Sequence, residues 1–140
     1  MRILGLDLGE KHIGVALSDA LGLTAQRLTR LDARGTAKDL DAVRVLAAQH
    51  GVEVIVVGLP LTLQGEQGPR AKRAIAFCEA LRRHLTIPVH LIDERLTTVQ
   101  GERALLETDT SRRKRKQVID LVAAQLILQH YLETIRPTES

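Results

Sequence analysis

Three acidic positions pose the chemical question. Asp7 interrupts an apolar run that begins at Ile3, Asp93 and Glu94 follow the apolar segment ending at Ile92, and Asp120 stands in a strongly apolar stretch over 117–132. A lone carboxylate in a buried strand must be paired, protonated or bound to a metal, because desolvating an unpaired charge is far too costly. Gly9 then leaves the backbone after Asp7 bare enough for a phosphate or metal to come close. Asp120 shares one helical face with Ala123, Ala124, Ile127 and Tyr131, at spacings of three, four, seven and eleven. The small alanines let that face lie close to a sheet. A carboxylate there is either a helix-start residue favoured by the macrodipole or one pointed into a site, and the company of other carboxylates at strand ends favours the site. Acidic groups without histidine or cysteine partners suit a hard, oxygen-seeking ion, Mg²⁺ or Mn²⁺. Such ions offset the mutual repulsion of clustered carboxylates. A pair of them suits phosphoryl transfer: one ion lowers the pKa of the attacking water, the other stabilises the leaving oxygen. Spacing leaves open whether Asp93 or Glu94 is the member of the set.

The elements that must position these groups can be read in order. Residues 3–9 and 12–18 read as two strands joined by a tight Glu10-Lys11 connection, and 23–31 as a third. Residues 38–49 are helical, with Leu40, Val43, Leu46 and Ala47 on one stripe and Gly51 at the stop. The nearly continuous apolar run 52–57 reads as a strand covered on both faces, ended by Gly58-Leu59-Pro60. Pro69 opens a basic helix to about residue 85, 88–92 is a short strand, and Thr97 or Thr98 caps a helix to about 107. The last helix covers 117–132. This order predicts an α/β fold with a mixed five-stranded sheet, three antiparallel strands then two parallel ones, and helices on both faces. Ligands of such sheets gather beyond the carboxyl ends of the parallel strands, where Asp7, the Gly58-Leu59-Pro60 turn and Asp93-Glu94 fall.

Composition narrows the classes. The 140 residues suffice for one domain, 1–140, with a real core. At 44% apolar and 26% charged the chain reads as soluble and globular. Cys78 is the one cysteine, which excludes an internal disulfide. No apolar run approaches the ~20 residues of a membrane span, and the first strand starts almost at Met1, leaving no room for a signal peptide; the expectation is a cytoplasmic protein. The net charge of +3 and pI near 9.4 favour a polyanion as partner. With only Phe77 and Tyr131 as aromatics, base stacking is poorly provided for; backbone and shape should be read instead. The five histidines show no metal spacing. Ser18-Asp19 reads as a turn.

These residues resemble the YqgF (RuvX) family, with the ribonuclease H-like fold. The resemblance rests on Asp7-Leu8-Gly9 with Ile13-Gly14-Val15-Ala16 through Ser18-Asp19; on Val57-Gly58-Leu59-Pro60 with Gly65; on Asp93-Glu94-Arg95-Leu96-Thr97-Thr98; and on Asp120 with Ala123-Ala124-Gln125-Leu126-Ile127-Leu128. It spans nearly the whole chain in order, and the stretch from Asp93 to Thr98 is its specific part. It implies that Glu94, rather than Asp93, joins Asp7 and Asp120 as catalytic metal ligands for a pair of Mg²⁺ or Mn²⁺ ions. It further implies a nuclease, associated with 5′-end maturation of the 16S rRNA precursor and with Holliday junction resolution. One departure is His12, where the family often has arginine.

Candidate contacts to structured RNA or branched DNA are Lys11, Arg70, Arg95 and the unbroken run Arg112, Arg113, Lys114, Arg115 and Lys116. That run precedes or enters the helix carrying Asp120, where the dipole disfavours cations and five like charges repel. A polyanion beside the site offsets both costs. The apolar last helix could also serve a homodimer. Two other classes compete. An actin-like ATPase or sugar kinase begins with a similar hairpin but needs two such domains, and this chain has room for one. An inactive nucleic-acid-binding module of the same fold is disfavoured because all three acidic positions are filled.

Overall fold

The computed structural model describes residues 1–60, 65–94 and 112–135, with side chains in the last stretch from Leu121 onward. β1 (Arg2–Leu8) and β2 (His12–Ser18) pair antiparallel, Leu6 opposite Val15 and Asp7 opposite Gly14. The Gly9 amide donates to the His12 carbonyl at 2.9 Å and closes their turn. β3 (Ala25–Asp32) extends the meander, with Ile13 opposite Leu31. Asp19 holds the intervening turn: its Oδ1 accepts from the amides of Leu23 at 2.7 Å and Thr24 at 3.2 Å. Those donors, Leu23 foremost, hold its carboxyl below the ordinary carboxylate range.

α1 (Thr36–Gln49) leads to β4 (Val52–Leu59), which lies parallel to β1 with Leu6 beside Val57. α2 (Pro69–His84) crosses to β5 (Val89–Asp93), parallel to β4. The sheet order is β3-β2-β1-β4-β5, the mixed five-stranded arrangement expected. α3 (Arg112–Ile135) packs against β1, β2 and β3.

Several boundaries differ from the sequence reading. β3 begins at Ala25 rather than at 23, and α1 begins at Thr36 rather than at 38. β4 does not end before Gly58: Gly58 pairs with Ile92 and Leu59 with Asp93. The neighbouring strand supplies partners for two more residues, and Pro60, which has no N–H, stops the ladder. α3 starts at Arg112 rather than at 117, so of the two placements open to the basic run 112–116 it is the one within the helix that holds. The helix expected over 97–107 lies outside the described residues.

Alternation along β1 sorts the core. Leu4, Leu6 and Leu8 join Val15, Ile55, Val57, Val43, Phe77 and Leu81 beneath α1 and α2. Each such side chain, fully buried, contributes roughly 1.5–3 kcal/mol. Ile3, Ala16, Val54 and Val56 lie on the other face under Ala123, Ala124, Ile127, Leu128 and Leu132 of α3. Here the helix comes unusually close. A Cβ at Gly5 would stand 2.8 Å from Leu128 Cβ and 3.2 Å from the Ala124 carbonyl oxygen. Among the described residues, no helix is long and apolar enough to cross a membrane.

Candidate metal centre

The carboxyl ends of β1, β4 and β5 meet at one edge of the sheet. Asp7 sits in the last turnout of β1 and is 2% exposed. Gly14, directly opposite on β2, offers no side chain to crowd it. In register, Asp7 follows Leu6, which is beside Val57, so its neighbour along β4 is Gly58, one strand spacing of about 4.8 Å away.

Glu94 reaches the same place from the other side. Its amide donates to the Leu59 carbonyl at 3.1 Å, carrying the β4–β5 ladder one step past Asp93. Its side chain is 1% exposed and lies across the backbone of Gly58. A Cβ at Gly58 would be 2.2 Å from Glu94 Oε1 and 2.4 Å from Ile127 Cδ1. Any residue but glycine there would displace the Glu94 carboxylate and the tip of the Ile127 side chain. Asp7 and Glu94 thus flank one glycine on the face that α3 covers. Asp93 pairs with Leu59 and is only partly buried. Alternation places it with Val89 and Leu91, which pack on the opposite side. Strand parity therefore separates two acidic neighbours that spacing could not.

Asp120 belongs to α3, four positions before Ala124 and seven before Ile127. Its side chain, like those of Arg112, Arg113, Lys114, Arg115 and Lys116, lies outside the described residues, as does Arg95 altogether. Among the described residues, no group of three or more histidine, cysteine, aspartate or glutamate side chains gathers as a metal cage. Of the residues expected to hold a metal, Asp7 and Glu94 are described: oxygen donors, almost wholly buried, around a cradle kept open by a glycine. That chemistry fits a hard divalent ion and does not fit a soft one.

Cations border this edge. Arg70, in the first turn of α2, places Nη2 3.9 Å from Asp7 Oδ1 and donates from it to the Leu8 carbonyl at 3.2 Å. Arg73, one turn on, donates to the Gly9 carbonyl. Lys11 is exposed in the β1–β2 turn, and its carbonyl accepts from the Ala33 amide at 2.8 Å. His12 Nε2 lies 3.5 Å from Oδ1 of Asp32, its cross-strand neighbour. Ser18 Oγ accepts from the Ile3 amide at 2.8 Å and ties the far end of β2 to β1, a structural task. The sequence reading missed Arg73 and took Gly58 for a strand terminator. A signal for the arginines existed: like the run 112–116, they are cations in the first turns of a helix, where the dipole disfavours them.

Residues 1–134 match the family model described as RuvX: Holliday junction resolvase. A relative from Moorella thermoacetica, named "Putative pre-16S rRNA nuclease", is 55% identical over 135 residues, covering 96% of each chain. One of the same name from Clostridium kluyveri is 47% identical over 96% of this chain and 98% of its own. Among solved structures, Thermus thermophilus RuvC in complex with a Holliday junction substrate superposes with a TM-score of 0.57 at 14% identity, over 96% of this chain and 94% of that one. The Fowlpox virus resolvase in complex with Holliday junction DNA gives a TM-score of 0.59 at 13% identity, over 98% and 100%. Those two likenesses speak to the fold: it is that of the RuvC-like resolvases, ribonuclease H-like.

Proposed function

The chain belongs to the RuvX family, and from that premise we propose that it is a divalent-metal-dependent endonuclease acting on structured nucleic acid, with the 16S rRNA precursor as its substrate. The observation that carries this reading is the pair of buried carboxylates, Asp7 and Glu94, laid on either side of Gly58 at the carboxyl edge of the sheet. Nothing about the packing of an apolar core calls for two acidic side chains there, and a divalent ion between them would offset both their burial and their mutual repulsion.

Asp7, Glu94 and Asp120 would hold Mg²⁺ or Mn²⁺, as a pair of ions. Bound there, the metal supplies an acidified water as nucleophile and a counter-charge for the leaving oxygen. The protein's own part is positional. β1 and the β4–β5 ladder fix two carboxylates on a rigid sheet rather than on loops, and the close seat of α3 against Gly5 sets the distance of the helix that carries Asp120. Lys11, Arg70, Arg95 and Arg112 to Lys116 hold the phosphate backbone, which gives register and affinity but little sequence information. The scarcity of aromatics fits this division, and Tyr131 is itself engaged, stacked on His90 with ring centroids 6.1 Å apart.

The names carried by the relatives at 47% and 55% identity favour ribosomal RNA. The family's description favours a four-way DNA junction as second reading. Both substrates, offered in parallel with Mg²⁺ and with Mn²⁺, test the proposal. Cleavage of the RNA precursor that stops in excess chelator is the expected result. Wild-type cleavage persisting in chelator removes the metal mechanism. Binding of both substrates without cleavage of either, in either metal, returns the chain to the inactive-module class.

A further inference from the structure

Arg70 stands nearer the carboxylates than a contact to a passing phosphate requires. Its Nη2 is 3.9 Å from Asp7 Oδ1, too far for a hydrogen bond, yet the same nitrogen donates to the Leu8 carbonyl at 3.2 Å. Arg73 donates to the next carbonyl along, that of Gly9. The guanidinium is therefore held by the backbone of β1 as well as by its ion pair with Asp7. Its Nε is buried and has no hydrogen-bond partner among the described residues. Arginine does not lose its proton in a protein. So the charge remains beside Asp7 whatever else that carboxylate binds.

A fixed positive charge and a divalent ion on the same carboxylate repel one another. An anion placed beside both relieves the repulsion, and the partly exposed guanidinium suits a phosphodiester oxygen in charge and in shape. We infer that Arg70 couples the two binding events, weakening metal binding in the free protein and tightening it when a phosphodiester is present. This rests on the metal-dependent reading above and adds a direction to it: the substrate completes the site that will act on it. Linkage makes the effect reciprocal, so metal strengthens phosphate binding by the same factor. Arg70 is in this account a positioning residue and the seat of the coupling, distinct from the ligands.

The test is Mn²⁺ affinity by calorimetry for the wild type, Arg70→Gln, Arg70→Lys and Asp7→Asn. Each is measured alone and with a phosphorothioate DNA duplex, which a gel shows to be intact afterwards. The wild type should bind Mn²⁺ more tightly with the duplex by roughly 5-fold or more, the lower end of ordinary coupling. Arg70→Gln should bind Mn²⁺ several-fold more tightly than the wild type when alone, and should lose most of the gain from the duplex. Arg70→Lys, which keeps the charge without the fork, should weaken Mn²⁺ binding as the wild-type residue does while recovering only part of the gain. Arg70→Gln leaves a buried carboxylate without this counter-charge, so a melting curve is taken for each variant and affinities are compared at a temperature where all are folded. An Arg70→Gln protein with wild-type Mn²⁺ affinity in both conditions overturns the inference and leaves the nuclease reading standing, provided Asp7→Asn has lost the binding heat. Wild type that binds no Mn²⁺ under either condition overturns both.

Discussion

On β1 the side chains facing α1 and α2 are Leu4, Leu6 and Leu8, whereas those facing α3 are Ile3, Gly5 and Asp7. The same contrast runs along β4, where Ile55 and Val57 face one way and Val56 and Gly58 the other. One face is filled by large aliphatic groups that take helices at an ordinary distance. The other thins out toward the carboxyl edge, with glycine on the strands and Ala123 and Ala124 on the helix. The volume given up there is occupied by carboxylates. A sheet can thus keep its stability on one side and place polar chemistry on the other, because a strand reverses its side chains at every residue.

The sharpest way to break this division is Asp7→Asn. An amide is a far poorer ligand for a hard ion, and the electrostatic help of a bound ion is worth several kcal/mol. Single-turnover cleavage should fall by roughly 10³-fold, with a melting temperature close to that of the wild type. Retained cleavage would falsify the assignment of chemistry to the α3 face. On the opposite face, Leu6→Ala should cost about 2–5 kcal/mol in denaturant unfolding. Its Mn²⁺ affinity, measured where the protein is still folded, should not change; if it does, the two faces are not independent.

Gly58→Ala sharpens the comparison, since it removes no functional group. The added methyl would displace Glu94 or Ile127, which lie within 2.4 Å of its place. A loss of about 10- to 100-fold in metal affinity is expected, comparable with disturbing a residue that orients a ligand. Calorimetry showing wild-type affinity would mean that the Glu94 carboxylate is not needed where it lies. The smallest effect on the chemical step belongs to the basic end of α3. Replacing Arg113, Lys114 and Arg115 with alanine should flatten the dependence of log K on log salt by ~2–3 units on duplex arms. Cleavage at saturating substrate should change less than affinity. An unchanged slope would leave the run as a solvated helical turn and shift attention to α2, where Arg70 and Arg73 already border the carboxylates.

Much of this was legible in the chain. Asp7 announces itself because a carboxylate in an apolar strand needs a cation, and the alternation of short and long connections dictates the sheet. The close approach of α3 follows from Ala123 and Ala124. Other parts depend on partners far away in sequence. Choosing between Asp93 and Glu94 needs the parity of a five-residue edge strand, which shows little pattern of its own. Gly58 reads as a stop until β5 is known to pair with it. The nearness of Arg70 to Asp7 joins residues that no local spacing relates. The true start of α3 at Arg112 was hidden because five cations argue against a helix N-terminus on local grounds.

The seat of α3 on β1, β2 and β3 has a consequence for biosynthesis. The meander is complete by Asp32, yet the residues that cover its second face begin at Ala123. At roughly 5–20 residues per second, translation leaves that face waiting for several seconds. During that interval Ile3, Ala16, Ala25, Val54 and Val56 have no helix above them, and a nascent chain is open to premature association or to a chaperone. The same delay is a safeguard. Glu94 has yet to be made when Asp7 is already in its strand, and Asp120 arrives only with the helix. On the metal-dependent reading proposed above, a chain still being synthesised has an incomplete donor set and no cleavage activity.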